Sequence, residues 1–491
     1  MKLVRNSLYS LLGVALPIVV SVGTVPLYIG KIGEERYGAL AIAWLLLGYF
    51  GQADFGIGRA ITQRISSMTN ASRADMADVV WSAIASIAVF GVIGGGLVYL
   101  SANYFFAGPF KVEPGLRAEL MNSVWALALC NPLVALIGVT SGALIGLERF
   151  KLVSAANLVS NTSLQLFPLA AAYLFGTNLE YLIVAALIGR FSGLLMLSWG
   201  VWRTFLSGER ALPSFAEVKR LSNFGVWIMV SALISPLMIF ADRFIIGSVE
   251  GAAAVAIYSI PFSVASRTQI LPIAVIQALF PRFAAEDSEV SRGTCQQFSI
   301  FLGQMFAPIT IGIICLSDPL MRLWLGHRLN PASITIAQVI LAGFWINALA
   351  NVPFAFIQAR GNPRFTALLH CCELPVYLAL LYGLGSKFGL PGIAAAFSLR
   401  CAIDCIALMR KAGIGNWRTL TNLAGPVGLI IVAIFIANMV HGWAASMAAA
   451  MVLGVTATGV GLLQMPPPIR ARLAAMPFAR FVPGLRSAKP V

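Results

Sequence analysis

Residues Gly30–Arg64 read GKIGEERYGALAIAWLLLGYFGQADFGIGRAITQR, and this stretch decides what kind of protein the chain is. It opens on a short charged turn of Lys31, Glu34, Glu35 and Arg36. An apolar run from Gly38 to Phe50 follows, and polar residues then enter while the helical spacing continues. Tyr49, Gln52, Gly56, Arg59 and Gln63 recur at i, i+3, i+7, i+10 and i+14, which is one face of a helix. Hydrocarbon excludes such a face, so it looks into protein or into water. Asp54 projects from a different side of that helix. The stretch therefore reads as a turn leading into a membrane span that carries a polar stripe.

The rest of the chain is built the same way. Of its 491 residues 59% are hydrophobic and 11% charged, with a mean hydropathy of +0.85. A soluble domain carries about 25% charged residues. Apolar runs between charged and Pro/Gly breaks predict fourteen transmembrane helices, from 8–29 and 38–60 through 222–247 and 252–280 to 443–464. The first run follows Lys2 and Arg5 but is too long for a signal peptide and lacks its cleavage pattern, so it reads as the first span. Seven cysteines lie mostly in apolar runs with no metal-binding spacing, as small hydrophobes do.

The net charge of +15 does not imply nucleic acid, because the basic residues sit between spans. Lys2/Arg5, Arg64/Arg73, Arg149/Lys151, Arg203/Lys219 and Arg360/Arg364 fall in alternate loops, which hold about three Lys/Arg for each one in the intervening loops. This bias predicts cytoplasmic N- and C-termini. The longest internal loop contains Pro213 and then Ser214-Phe-Ala-Glu217, a capping-box pattern that predicts a short amphipathic helix on the inner surface. A weak echo between Leu27–Gly33 and Phe244–Val249 suggests two related halves. The basic tail after Pro468 reads as a segment lying on anionic headgroups.

Ionisable residues inside predicted spans cost about 2.5–3.5 kcal/mol each at mid-membrane, so their number argues for a hydrated, functional interior. They are Asp54, Arg59, Arg190, Asp242, Arg243, Arg267, Glu373, Arg400 and Asp404, with His370 at one entrance. Arg59 and Arg243 lie near span ends, where snorkelling competes with cavity lining. Arg267 is deep, on a face with Ser259 and Ser263 and bracketed by Pro261 and Pro272. Arg400 and Asp404 stand at i, i+4, either as an intrahelical ion pair or as functional groups. His370 and Glu373 at i, i+3 suit either a proton relay or a structural hydrogen bond. No G-x-S-x-G, P-loop or H-E-x-x-H pattern occurs, so nothing points to an enzyme.

Several motifs follow in a recognisable order: Pro26, the turn Gly33-Glu-Glu-Arg-Tyr-Gly38, Asp54-Phe-Gly-Ile-Gly58, Gln358-Ala-Arg-Gly-Asn-Pro363 with Glu373, and Gly389-Leu-Pro-Gly392 before Arg400 and Asp404. Together they resemble the Wzx-like polysaccharide and O-antigen flippases of the MATE-related MOP superfamily. The resemblance implies an all-α integral membrane protein of about 14 transmembrane helices, two six-helix lobes around a central cavity plus two C-terminal helices. It divides the chain into an N-lobe at 1–205, a connector at 206–220, a C-lobe at 221–411, two further spans at 412–465 and a tail at 466–491. It implies flipping of an undecaprenyl-diphosphate-linked oligosaccharide across a bacterial inner membrane; no cofactor is expected, and with no ATP motif the drive is an H+ or Na+ gradient or the substrate gradient itself. A polysaccharide polymerase or assembly protein is the expected partner. From depth, Arg59, Arg190, Arg267 and Arg400, with Gln52 and Gln63, are expected to bind substrate, arginine being the residue suited to phosphate. Asp54, Asp242, Glu373 and Asp404 are the expected ion-coupling groups. The alternative is a cation-coupled exporter of amphipathic small molecules on the same fold.

Overall fold

The computed structural model describes residues 2–52, 57–68, 71–208, 212–219, 238, 240–285 and 287–465. Every regular element in them is helical. In the first part of the chain these are α1 (Lys2–Gln52), α2 (Ile57–Ser67), α3 (Arg73–Ala107), α4 (Pro114–Gly146), α5 (Phe150–Leu174), α6 (Leu179–Val201) and α7 (residues 240–249). Then come α8 (Ala252–Ser266), α9 (Ile270–Ala285), α10 (Ser288–Cys315), α11 (Ser317–Leu325), α12 (Ala332–Ala359), α13 (Pro363–Lys411), α14 (Trp417–Met439) and α15 (Trp443–Gln464).

The charged turn of the opening stretch is a bend inside α1. Gly33 has φ 81° and ψ 168°, a conformation that side chains strain to adopt, and it separates the first two spans. Tyr28, Tyr37 and Trp44 pack their rings across the bend at 5.3–6.2 Å. A Cβ on Gly38 would overlap the Ala252 carbonyl oxygen, so only glycine permits that approach. Arg36 pairs with Glu119 at 2.7 Å, and Glu35 accepts the Glu113 N–H at 3.1 Å. Each residue of the motif thus has a separate task.

The same device recurs in α13, where Gly389 (φ 60°) joins two antiparallel spans. Among the described residues ten helices are long and apolar enough to cross a membrane. Two of them, α1 and α13, bend at these glycines and account for two spans each. Helix α5, at 25 residues, has the length for another. The span expected at 222–247 falls mostly outside the described residues, as does the tail at 466–491.

The chain forms two compact units, Met1–Ala256 and Ile257–Val491. In the first, small residues let helix backbones meet, the packing suited to lipid where apolar burial alone gives no drive. Gly91 and Gly95 of α3 face Pro132 and Ala128 of α4, and Gly189 and Gly193 of α6 face Ser163 and Ser160 of α5. Ile61, Val80, Ile87, Leu144 and Leu197 fill the centre. Helix α7 and the start of α8 join through backbone bonds from the Lys111 N–H to Gly247 at 3.0 Å and from the Ala252 N–H to Lys111 at 3.2 Å.

The segment expected as an inner-surface helix is helical at residues 215–219. Its bonds differ from a simple capping box. The Ser214 N–H donates to Ser82 Oγ at 2.8 Å, the Leu212 N–H to Asp78 Oδ1 at 3.0 Å, and Arg64 takes the Glu217 carboxylate at 2.8 and 3.2 Å. Docking on α2 and α3 holds the segment, while Leu212 and Phe215 remain exposed.

In the second unit Phe262 of α8, Phe344 of α12 and Phe397 of α13 meet at 5.1–5.2 Å. Trp345 Nε1 donates to Gly303 at 3.0 Å and ties α12 to α10. The last two helices dock on α10 and α12. Gln296 donates to Asn416 and Thr419 at 2.9 Å, and Asn438 to Gln338 at 2.8 Å.

Candidate functional site

Two places in the second unit combine buried polarity with irregular backbone. The first is the junction of α8 and α9, where Arg267–Gln269 form a single 3-10 turn inside what the sequence reads as one span. Pro272 lacks the N–H that would take the Thr268 carbonyl, and neighbouring hydroxyls loosen the ladder further. Ser263, Ser266 and Thr268 each bond a carbonyl three residues back, those of Ile260, Ser263 and Ala265, at 2.6–2.8 Å. Hydroxyls that take helix carbonyls bend and loosen the ladder. Gln269 anchors the break by donating to the Phe344 carbonyl at 2.9 Å. Arg267 itself is exposed, with no ion-pair partner among the described residues. A broken span presenting an unpaired guanidinium is suited to binding an anion.

The second place lies between the two halves of α13. His370 and Glu373 on the first half face Asp404 on the second, with ligand atoms of all three within 4.8 Å of one another. His370 Nε2 is 4.0 Å from Asp404 Oδ1, and the Phe354 ring stacks on the imidazole at 5.8 Å. Glu373 is 5% and Asp404 6% exposed, and both Glu373 oxygens and Asp404 Oδ1 lack a hydrogen-bond partner among the described residues. Two adjacent buried carboxylates without donors need a cation between them, whether a proton or a metal ion.

Of the two readings of Arg400 and Asp404, the intrahelical ion pair is not formed. Arg400 instead donates to Cys401 Sγ at 3.3 Å and lies over the Tyr377 and Phe397 rings at 5.5 and 5.4 Å. Asp404 is left to the His370–Glu373 side because hairpin packing, not spacing along one helix, chooses its neighbour. The aromatic floor under Arg400 is shared: Phe397 also meets Phe344, whose carbonyl holds Gln269 at the broken span.

Other expected residues are placed elsewhere. Arg190 lies within the Gly189–Gly193 contact of α6, which brings it to Asn161 of α5 at 3.0 Å. Asp242 is fully buried and already carries its counter-ion, Arg243 Nη1, at 3.2 Å. Arg243 is therefore an interior residue and does not snorkel. Gln63 is exposed on α2. Gln52 and Arg59 lie on helical backbone, but their side chains are outside the described set, and Asp54 is outside the described residues altogether. The clustering of His370 with Asp404 was missed in sequence; the signal was Gly389, from which Glu373 and Asp404 are almost equidistant.

Residues 3–285 match the family model described as polysaccharide biosynthesis protein. A Shigella flexneri protein assigned as an O-antigen transporter is 30% identical over 409 residues, covering 83% of this chain and 97% of that one. The Bacillus subtilis (strain 168) teichuronic acid biosynthesis protein TuaB is 25% identical over 344 residues, 67% of this chain and 64% of its own length. Among solved structures, the lipid II flippase MurJ in an inward closed conformation superposes with a TM-score of 0.66 at 14% identity, covering 93% and 98% of the two chains. An inward-facing MATE-family multidrug transporter of the MOP superfamily gives 0.68 at 12% identity, covering 84% and 95%. These two likenesses establish the MATE/MOP fold, and with the apolar helices they describe a multi-pass membrane protein.

Proposed function

The chain belongs to the polysaccharide biosynthesis protein family, and on that premise we propose that it flips a lipid-diphosphate-linked oligosaccharide between leaflets by alternating access. The observation that carries this reading is the match to the Shigella O-antigen transporter over nearly that protein's whole length. The proposed direction is from the cytoplasmic to the periplasmic leaflet of the bacterial inner membrane, and the loop charges support placing both termini in the cytoplasm. The small-molecule exporter alternative shares the fold, but the family match is to polysaccharide proteins.

Arg267 is the residue assigned to the diphosphate. Its exposure at a broken span supplies a charge-assisted donor with bidentate geometry for phosphate oxygens. Coupling is assigned to His370, Glu373 and Asp404. An imidazole among two carboxylates favours a proton over sodium, a hard ion that prefers an all-oxygen shell. Asp242 is set aside because Arg243 already neutralises it. Protonation would remove charge between the halves of α13, next to the ring contacts that lead to α8 and α12.

The test is complementation of bacteria that lack their own exporter. The wild-type chain should restore surface polysaccharide, and precursor should stop accumulating on the inner leaflet. A well-expressed chain that restores drug efflux and no polysaccharide would overturn the reading in favour of the exporter.

A further inference from the structure

The first unit carries a cleft that neither the export reading nor the coupling cluster uses. It measures about 760 Å³ and is lined by Arg73, Glu148, Arg149, Lys151, Trp199 and Arg203, over an apolar floor that includes Leu152 and Ala155. Its cations come from the first turn of α3 (Arg73), the turn between α4 and α5 (Arg149), the first turn of α5 (Lys151) and a π-helical turn, Trp202–Leu206, that follows α6 (Arg203). Four cations thus line one cleft that has one carboxylate among its described lining residues, a positive field that attracts an anion.

The walls are held in place. Arg73 Nη2 donates to the Arg203 carbonyl at 2.8 Å, and the Arg203 guanidinium lies over the Trp199 ring at 5.5 Å. Helix α5 begins at this cleft with no side-chain cap, so its positive end contributes as well. Glu148 has φ 58°, the only positive φ outside glycine among the described residues. Backbone strain and a π-helical turn on two sides of one cleft mark a shaped site better than a chance collection of loop charges.

We propose that this cleft binds the phosphate-bearing headgroup of an anionic phospholipid. Trp199 and Trp202 are each a little over half exposed beside it, at the end of a span, where indole rings sit at headgroup depth. Aromatic and apolar lining next to cations suits a headgroup with glycerol and acyl chain attached better than a free anion. The orientation proposed above places this lipid in the inner leaflet.

The experiment uses the purified full-length protein in micelles containing phosphatidylglycerol or phosphatidylcholine, with retained lipid counted by native mass spectrometry. The wild type should keep phosphatidylglycerol selectively. Replacing Arg149 and Lys151 together by Gln should lower that retention about tenfold, two exposed phosphate contacts being lost, with phosphatidylcholine unchanged. Arg73→Gln, on another helix, should lower it in part, and decides the matter alone if the double variant does not fold. Equal retention by wild type and Arg73→Gln overturns the proposal, as does a wild type with no preference between the lipids. Displacement of the lipid by millimolar inorganic phosphate would reassign the cleft to free anions. Because transport is not the readout, a negative result leaves the export reading standing.

Discussion

Single residues in this protein are legible through what they lack. Arg267 has no counter-ion among the described residues, so its guanidinium is available at the break in the span. A charge-assisted contact contributes about 1.5–3 kcal/mol, and losing it should weaken substrate capture roughly ten- to hundredfold. Arg267→Ala should express and insert normally while lipid-linked precursor accumulates inside, and Arg267→Lys should recover part of the export. Full export by a well-inserted Arg267→Ala chain would show that the diphosphate is held elsewhere. Glu373 has no donor for either oxygen among the described residues, which supports its proposed part in coupling. Glu373→Gln and Asp404→Asn should each abolish acceleration by a pH gradient in reconstituted vesicles, with protein yield unchanged. Persistence of the pH response in both variants would make the carboxylates structural. At Glu148 the issue is strain: a left-handed non-glycine residue costs about 1–2 kcal/mol, so Glu148→Gly should raise the melting temperature in detergent. A lowered melting temperature would mean that the Glu148 side chain contributes more than its backbone costs.

Elements are organised around two glycine hinges and one broken span. Gly33 and Gly38 sit five residues apart in the same motif yet constrain different things. At Gly33 there is open space around a would-be Cβ, and only the positive φ resists substitution. At Gly38 the backbone is ordinary helix, and Ala252 fills the space. With ψ at 168° Gly33 lies outside the left-handed well that asparagine tolerates, so Gly33→Asn and Gly33→Val should each cost about 1–3 kcal/mol. Gly38→Val should be worse than either, because two helices must separate to admit it. Thermal unfolding of the three variants in one detergent tests the ranking, and a Gly38→Val protein as stable as wild type would refute the packing argument. The break at Arg267 is only partly visible in sequence, because serine and threonine do not mark a bend unless their hydroxyls turn to the backbone. Pro272 marks it in the sequence, four residues after Thr268, and Ser263, Ser266 and Thr268 sit on or beside the break itself.

For the whole molecule the informative quantity is charge on either side of the bilayer. Alternate loops carry about three basic residues for each one in the intervening loops, the bias on which the proposed orientation rests. Accessibility tags at Ser214 and Ser487 should report the cytoplasm, and a tag at Asn178 the opposite side. A periplasmic signal at Ser487 would break the even span count. The connector helix obeys the same logic, with Glu217 held by Arg64 and Leu212 and Phe215 left exposed as a surface-lying segment requires.

Sequence alone determined the class of molecule and its hinges. Span length, charge placement and the order of glycine motifs are local properties, and Gly33 and Gly389 act through their own backbone angles wherever the neighbours lie. It also puts Arg267 far from the ends of a span, because position within a span can be counted. Tertiary structure decided which charges meet. Arg400 and Asp404 are neighbours in helical spacing, yet one packs on aromatic rings and the other joins His370 and Glu373 across the Gly389 hairpin. The basic cleft joins residues from regions far apart in the chain. Pairing across helices depends on register and rotation, which close-packed small residues set and which apolar periodicity leaves free.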